Sequence, residues 1–123
     1  MIVGIGTDII EVSRIAGALA AYGEQFERKV FAESEVAYCR RTPRRAAERY
    51  AARFAAKEAF SKAIGTGIRM GTRWRDVIVR HRPGGQPWLD LRGDAALRCQ
   101  GLTLHLTLTH TDALAVATVV IER

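Results

Sequence analysis

Arg53-Phe54-Ala55-Ala56-Lys57-Glu58-Ala59-Phe60-Ser61-Lys62 decides how the rest of the chain is read. At about 100° per residue, Ala52, Ala55, Ala56, Ala59, Phe60, Ala63 and Ile64 fall on one side of a helix. Lys57, Glu58, Ser61 and Lys62 fall on the other. An alanine face lets a neighbouring backbone come close, so this helix is expected to present Glu58 at a seam. Glu58 and Lys62, four residues apart, also match the ordinary surface pair that supports a helix by roughly 0.2 to 0.5 kcal/mol. The distinction rests on what the flanking segments bring.

Thr42-Pro43 precedes the stretch as an N-cap followed by proline at the first helical position. The predicted helix runs from Pro43 to Ile64, about 33 Å at 1.5 Å per residue, and Gly65 ends it. Arg28, Lys29, Arg40, Arg41, Arg44, Arg45, Arg49 and Arg53 crowd the region before and within it. Across the chain, 19 basic residues face 13 acidic ones, a net charge of +6 with an isoelectric point near 10.0. That balance favours an anionic partner, whether nucleic acid, a phosphorylated small molecule or an acidic protein. A charge run of this kind is also common on plain solvated helix surface.

Upstream, Met1 to Ile10 reads as a strand. Period-2 sorting puts Ile2, Gly4, Gly6, Asp8 and Ile10 on one face and Met1, Val3, Ile5, Thr7 and Ile9 on the other. Glycine inside a strand marks close approach by a ligand or another backbone, so Asp8 has room beside it; an Asp here also suits a turn or a helix cap. A short helix from Arg14 to Tyr22 follows, capped by Glu11 or Ser13 and closed by Gly23. Gln25 to Lys29 and Ser34 to Arg41 read as two further helices, with Phe26, Phe31 and Val36 as core contacts.

Downstream, Gly65 to Gly71 reads as a connector whose glycines fit no nucleotide-loop motif. Trp74 to Arg82 and Trp88 to Leu91 form a predicted hairpin, and Asp94 to Gln100 a short helix. Leu102, Leu104, Leu106 and Leu108 alternate with polar residues, and Ala113 to Ile121 returns as a last strand. His110-Thr111-Asp112 is expected at the tip between them, where side chains are available for binding.

The 123 residues suit one domain with one core. Cys39 and Cys99 stand alone, without the spacing of a disulfide framework or a zinc site. There is no secretory pattern at the N-terminus and no apolar run near the ~18 residues of a membrane span. A soluble cytoplasmic protein with no membrane partner is expected.

Gly6-x-Asp8 with Arg14 six residues after the Asp, Phe54-x-x-Lys57-Glu58-Ala59-x-x-Lys62, and Thr109-His110-Thr111 before a terminal strand occur in that order over the whole chain. Together they resemble the holo-[acyl-carrier-protein] synthases, the small group of the 4'-phosphopantetheinyl transferase superfamily. The resemblance implies an α+β fold with a long helix packed on a small, mainly antiparallel sheet, assembled as a homotrimer with sites between protomers. It implies transfer of 4'-phosphopantetheine from coenzyme A to a serine of apo acyl carrier protein, leaving adenosine 3',5'-bisphosphate. Asp8 and Glu58 match the Mg²⁺ ligands. The residue types suit that role, since an octahedral Mg²⁺ accepts carboxylates, phosphate oxygens and water.

Lys62 matches a residue serving the pyrophosphate, and Glu58 either holds metal only or also orients the attacking hydroxyl or a basic water. Arg45, Arg53, His110 and Thr111 match positions near the coenzyme A phosphates, with Gly65 as a backbone contact. Arg14 matches a position that meets the acidic carrier protein, and the docking surface is extended here to Arg28, Lys29 and Arg44. Three departures are visible: Ala18, Ala21 and Glu24 leave the first helix without a basic residue after Arg14; Gly85-Gln86-Pro87 stands where many relatives have Gly-Lys-Pro; and Thr109 replaces a serine. Two rivals remain, a basic nucleic-acid-binding domain and a non-catalytic coenzyme A binder. The first is disfavoured because the few aromatics are not interleaved with the arginines as a stacking platform would require.

Overall fold

The computed structural model describes residues 1–65 and 72–123; the connector read at 66–71 lies outside the described residues. In chain order the elements are β1 (Ile2–Glu11), α1 (Val12–Tyr22), α2 (Glu24–Val30), α3 (Glu33–Arg40), a 3₁₀ turn (Pro43–Arg45), α4 (Ala46–Ile64), a second 3₁₀ turn (Trp74–Asp76), β2 (Val77–His81), β3 (Pro87–Leu91), α5 (Gly93–Arg98), β4 (Thr103–His110) and β5 (Leu114–Glu122). Two antiparallel sheets result, one of order β1-β5-β4 and one the hairpin β2-β3. The arrangement is α+β, as the motifs imply.

β1 sorts by period two as expected. Gly6 and Ile10 are buried and Gly4 and Asp8 partly so, while Val3, Ile5, Thr7 and Ile9 are exposed. The inner face is completed by Ala115, Ala117, Val119 and Ile121 of β5, with Leu104, Leu106 and Leu108 of β4 partly buried against the core. α4 lies across this face. At Gly6 a Cβ would come within 2.1 Å of the Ala59 carbonyl oxygen and 2.6 Å of the Ala63 nitrogen, and at Gly4 within 2.3 Å of the Ala63 carbonyl oxygen. Main chain therefore packs on main chain, closer than any side chain permits.

The expected division of α4 into an apolar and a polar face is corrected. Eleven of its 19 residues are buried, including Arg53, Lys57 and Ser61, because α3 and β2 cover the flank opposite β1. Lys57 is fully buried; its Nζ donates to Glu35 Oε1 at 2.8 Å and to the Trp74 and Val77 carbonyls. Glu35 also accepts from the backbone N–H groups of Ala32 and Val79. The charge pair is buried with its hydrogen-bonding capacity filled, the condition under which such a pair is tolerated. Two helical turns earlier on α4, the Tyr50 hydroxyl donates to Glu27, which also accepts from Arg40.

Several boundaries shift. α1 starts at Val12, and neither its Glu11 cap nor Thr42 before the 3₁₀ turn makes a side-chain capping bond. Trp74 belongs to a 3₁₀ turn, where it stacks on Phe54 with ring centroids 5.1 Å apart. His110 ends β4 instead of standing in the loop. Gly23 and Gly65 close their helices at φ of 53° and 83°, the left-handed region that glycine tolerates. Phe31 is buried and Phe26 packs edge-on against it at 5.7 Å. Cys39 and Cys99 are free and buried, and among the described residues no helix is long and apolar enough to cross a membrane.

The outer face of the three-stranded sheet is exposed and apolar along β1, with Ile5 and Ile9 67% and 61% accessible. They pair with Val120 and Val116 of β5.

Gly6→Ala is expected to cost about 2 to 3 kcal/mol through forced overpacking. Gly17→Ala, where an added Cβ meets nothing within 4 Å, is expected to gain roughly 0.5 to 1 kcal/mol. Urea midpoints for the two variants measure both.

Candidate active site

The glycine contact determines what stands beside it. Asp8 is the next inward-facing residue of β1 after Gly6, and Glu58 and Lys62 flank the Ala59 backbone that Gly6 admits. Lys62 Nζ donates to Asp8 Oδ1 at 3.1 Å and to the Thr7 carbonyl at 3.1 Å. The surface pairing of Lys62 with Glu58 suggested by helical spacing is thus replaced by a contact across the seam to β1. Burial raises the Glu58 pKa above 4.5, and the Asp8 carboxylate raises it further, against the pull of Lys62. Asp8 and Glu58 are thus close enough for the charge of one to act on the other.

This is a hard-cation donor set. Among the described residues no third His, Cys, Asp or Glu joins it. Two carboxylates suffice for Mg²⁺, which keeps waters and takes substrate phosphates as its remaining ligands. Burial first, and the neighbouring Asp8 carboxylate second, disfavour the charged form of Glu58, and a divalent cation would offset both. The residues present fit such an ion.

A second cluster lies on the other flank of α4. Arg45, Arg49, Arg53, Tyr38, His81 and His110 line a cleft of about 320 Å³. Glu48, also on its wall, lies 3.7 Å from Arg45 and 3.8 Å from His110. Arg53 is 3% exposed, donates to the Arg49 carbonyl at 3.3 Å, and leaves its Nε without a partner among the described residues. Arg45, Arg53 and His110 are thus brought together as the motifs imply. Tyr38, Glu48, Arg49 and His81 were missed; the four-residue spacing of Arg45, Arg49 and Arg53 was the available signal for the arginine among them.

The two clusters do not meet within one chain. None of Asp8, Glu58 and Lys62 lines the cleft. Asp8 is on β1 and His110 on β4, with β5 between them and their partners on it two residues apart, roughly 12 Å at the usual strand and residue spacings, and α4 overlies the gap. Thr111 is not a cleft residue, since its hydroxyl accepts the Ala113 and Leu114 N–H groups and holds the turn. Gly65 caps α4 one helical turn beyond Lys62. Arg14, Arg28, Lys29 and Arg44 are all exposed but sit on α1, α2 and the first 3₁₀ turn, and Arg28 is paired with Glu24 at 2.7 Å.

Asp8→Asn is expected to move the Glu58 carboxyl down toward its ordinary range, by removing a like charge and freeing Lys62. A ¹³C NMR titration of Glu58 reads the shift. Because the folded chain holds this proton above the unfolded carboxyl's range, stability falls as pH rises from about 4.5 through the raised value. Glu58→Gln is expected to remove that loss, seen as a higher melting temperature at neutral pH.

The sequence profile of the 4'-phosphopantetheinyl transferase superfamily matches residues 4–119. A holo-[acyl-carrier-protein] synthase of Anaeromyxobacter dehalogenans is 51% identical over 99% of this chain and 97% of that protein. The crystal structure of a holo-[acyl-carrier-protein] synthase from Neisseria meningitidis superposes with a TM-score of 0.89 at 34% identity, covering 100% of both chains. One from Bacillus anthracis, in complex with coenzyme A (3',5'-ADP), superposes at 0.84 and 39% identity, covering 99% of this chain and 97% of that one. The chain belongs to the holo-[acyl-carrier-protein] synthases of the 4'-phosphopantetheinyl transferase superfamily.

Proposed function

We propose that the protein transfers 4'-phosphopantetheine from coenzyme A to a serine of an apo acyl carrier protein, releasing adenosine 3',5'-bisphosphate. The observation that carries this reading is the packing of Gly6 on the Ala59 backbone, which sets Asp8, Glu58 and Lys62 side by side in a member of this family. The serine oxygen forms a bond to the phosphorus bearing pantetheine. The bond from that phosphorus to the bridging oxygen breaks, and the adenosine bisphosphate departs with the electron pair. The serine proton leaves to a base.

Within that scheme Asp8 and Glu58 hold Mg²⁺, which when bound neutralises oxygens of the diphosphate. Lys62 exchanges its contact with Asp8 for the diphosphate as a point charge. Glu58, with its raised pKa, is also placed to orient the serine hydroxyl or a water that takes its proton. Arg45, Arg53 and His110 bind phosphates at the nucleotide end, while Gly65 and the turn held by Thr111 contribute backbone. Arg14 meets the acidic carrier, and the docking surface is extended to Arg28, Lys29 and Arg44.

Assembly follows from the same separation. The carboxylate flank and the arginine flank lie on opposite sides of α4, and the exposed apolar face of β1 and β5 offers a surface for another copy. A homotrimer whose sites combine the carboxylates of one protomer with the arginines of the next accounts for both. The protein is cytoplasmic in this reading, acting on soluble partners without nucleic acid or membrane. Three guanidinium groups cover the Tyr38 ring, an interleaving that sequence spacing concealed. The ring is thereby engaged by the protein's own cations and offers no open platform for a base.

Incubation with apo carrier, coenzyme A and Mg²⁺ is expected to raise the intact mass of the carrier by one phosphopantetheine. No gain with folded protein refutes the assignment. Arg14→Glu is expected to raise KM for the carrier about tenfold or more while leaving KM for coenzyme A within about twofold; equal effects on both would remove Arg14 from the docking surface.

A further inference from the structure

The cleft on the arginine flank contains a group that no part of this scheme uses. The His81 ring stacks on Tyr38, with centroids 5.3 Å apart and 20° between planes. The same Tyr38 ring carries the guanidinium of Arg53 at 4.1 Å, Arg49 at 4.8 Å and Arg41 at 5.7 Å. An imidazole is therefore held beside concentrated positive charge. Among the described residues the almost fully buried Nε of Arg53 has no partner; leaving such a donor unpaired is costly, and an anionic acceptor in the cleft would lower that cost.

The charged groups around His81 come from several elements. The end of α3 supplies Tyr38 and Arg41, and α4 supplies Arg49 and Arg53. Across the cleft Arg45 and His110 share the carboxylate of Glu48. On the strand of His81 itself, Arg80 is tied to Asp90 at 2.6 Å. No acid among the described residues lines the cleft besides Glu48, whose carboxylate faces Arg45 and His110.

We propose that His81 is a specificity-determining residue for the nucleotide end of the donor, recognising the 3'-phosphomonoester that distinguishes coenzyme A from its 3'-dephospho form and gaining a proton as that group binds. The inference rests on the proposed function, in which the diphosphate occupies the carboxylate flank. The 3'-phosphate is then the anion left for the cleft. Without ligand, burial and then the charges of Arg53 and Arg49 hold the His81 pKa below 6.5, so the ring is neutral at neutral pH. A phosphomonoester carries about −1.5 to −2 charges at pH 7. Set beside these arginines, it cancels their repulsion and favours the imidazolium. Affinity for a 3'-phosphorylated nucleotide then rises as pH falls through the interval between the two His81 values. The limit for one proton is about tenfold per pH unit.

Calorimetric binding of adenosine 3',5'-bisphosphate and of AMP, from about pH 6 to pH 8, tests this in the assembled protein. The wild-type preference for the bisphosphate is expected to weaken about three- to tenfold over that range. His81→Gln should bind with a smaller preference and a shallower pH slope than the wild type. NMR of the His81 ring in the wild type, with and without saturating bisphosphate, gives the same answer without any variant: its titration should move upward by about one pH unit or more. Equal slopes in wild type and variant, or an unmoved ring titration, overturn the proposal. If carrier is modified yet the ring does not respond, this inference falls and the function stands. A responding ring with no modified carrier supports the nucleotide site and rejects the transferase reading.

Discussion

The architecture depends on one steric fact, the absence of a side chain at Gly4 and Gly6. Each glycine faces a carbonyl of α4 at a distance that a Cβ would reduce to 2.3 Å or 2.1 Å, well inside any tolerable contact. Because the two backbones touch, the side chains flanking the contact are forced into one another's reach. Asp8 on the strand and Glu58 and Lys62 on the helix then interact across the seam. Two like charges in a partly buried place are unfavourable by themselves. The seam holds them there through packing contributed by the whole inner face of the sheet, so that the surrounding fold sustains a locally unfavourable arrangement.

The same helix keeps its opposite flank under equally strict control. Lys57, one residue before Glu58, reaches into a buried pair with Glu35 and bonds carbonyls of the segment leading into β2. Removing either partner would strand the other charge away from water, so the azimuth of α4 is secured from both sides. Arg53, one turn earlier, is buried by the same layer of elements and turned toward the cleft with Tyr38 and His81. One helix therefore bears two chemically distinct surfaces, one arranged around carboxylates and the other around guanidinium groups.

Much of this was legible in the sequence because it rests on short-range periodicity. The strand through Gly4, Gly6 and Asp8, the long helix through Glu58 and its stop at Gly65 each carry a local pattern that nothing distant overrides. The family motifs carried the α+β arrangement and the membership that the comparisons bear out. What escaped was tertiary. Lys57 looked like a surface residue because helical spacing cannot reveal that α3 and β2 cover its side, and Trp74 looked like strand because aromatic β propensity does not register its stacking on Phe54. The Tyr38 and His81 contact joins residues far apart in the chain, and no spacing rule connects them. The capping roles of Glu11 and Thr42 failed for a related reason, since tertiary packing positions those helix starts without side-chain caps.

A seam made of main chain has no rotamers. Side-chain interfaces adapt to a ligand by hopping between torsional wells, but the spacing of β1 from α4 is a hard-sphere distance set by peptide groups. The Cα positions of residues 8 and 58 are accordingly as fixed as the sheet itself. Any adjustment between their carboxyl groups must come from the torsions of one short aspartate arm and one longer glutamate arm. In the proposed function, any fit of the two carboxyl groups to a cation would have to come from those torsions, because the backbones that carry them cannot approach or part without breaking the glycine contact.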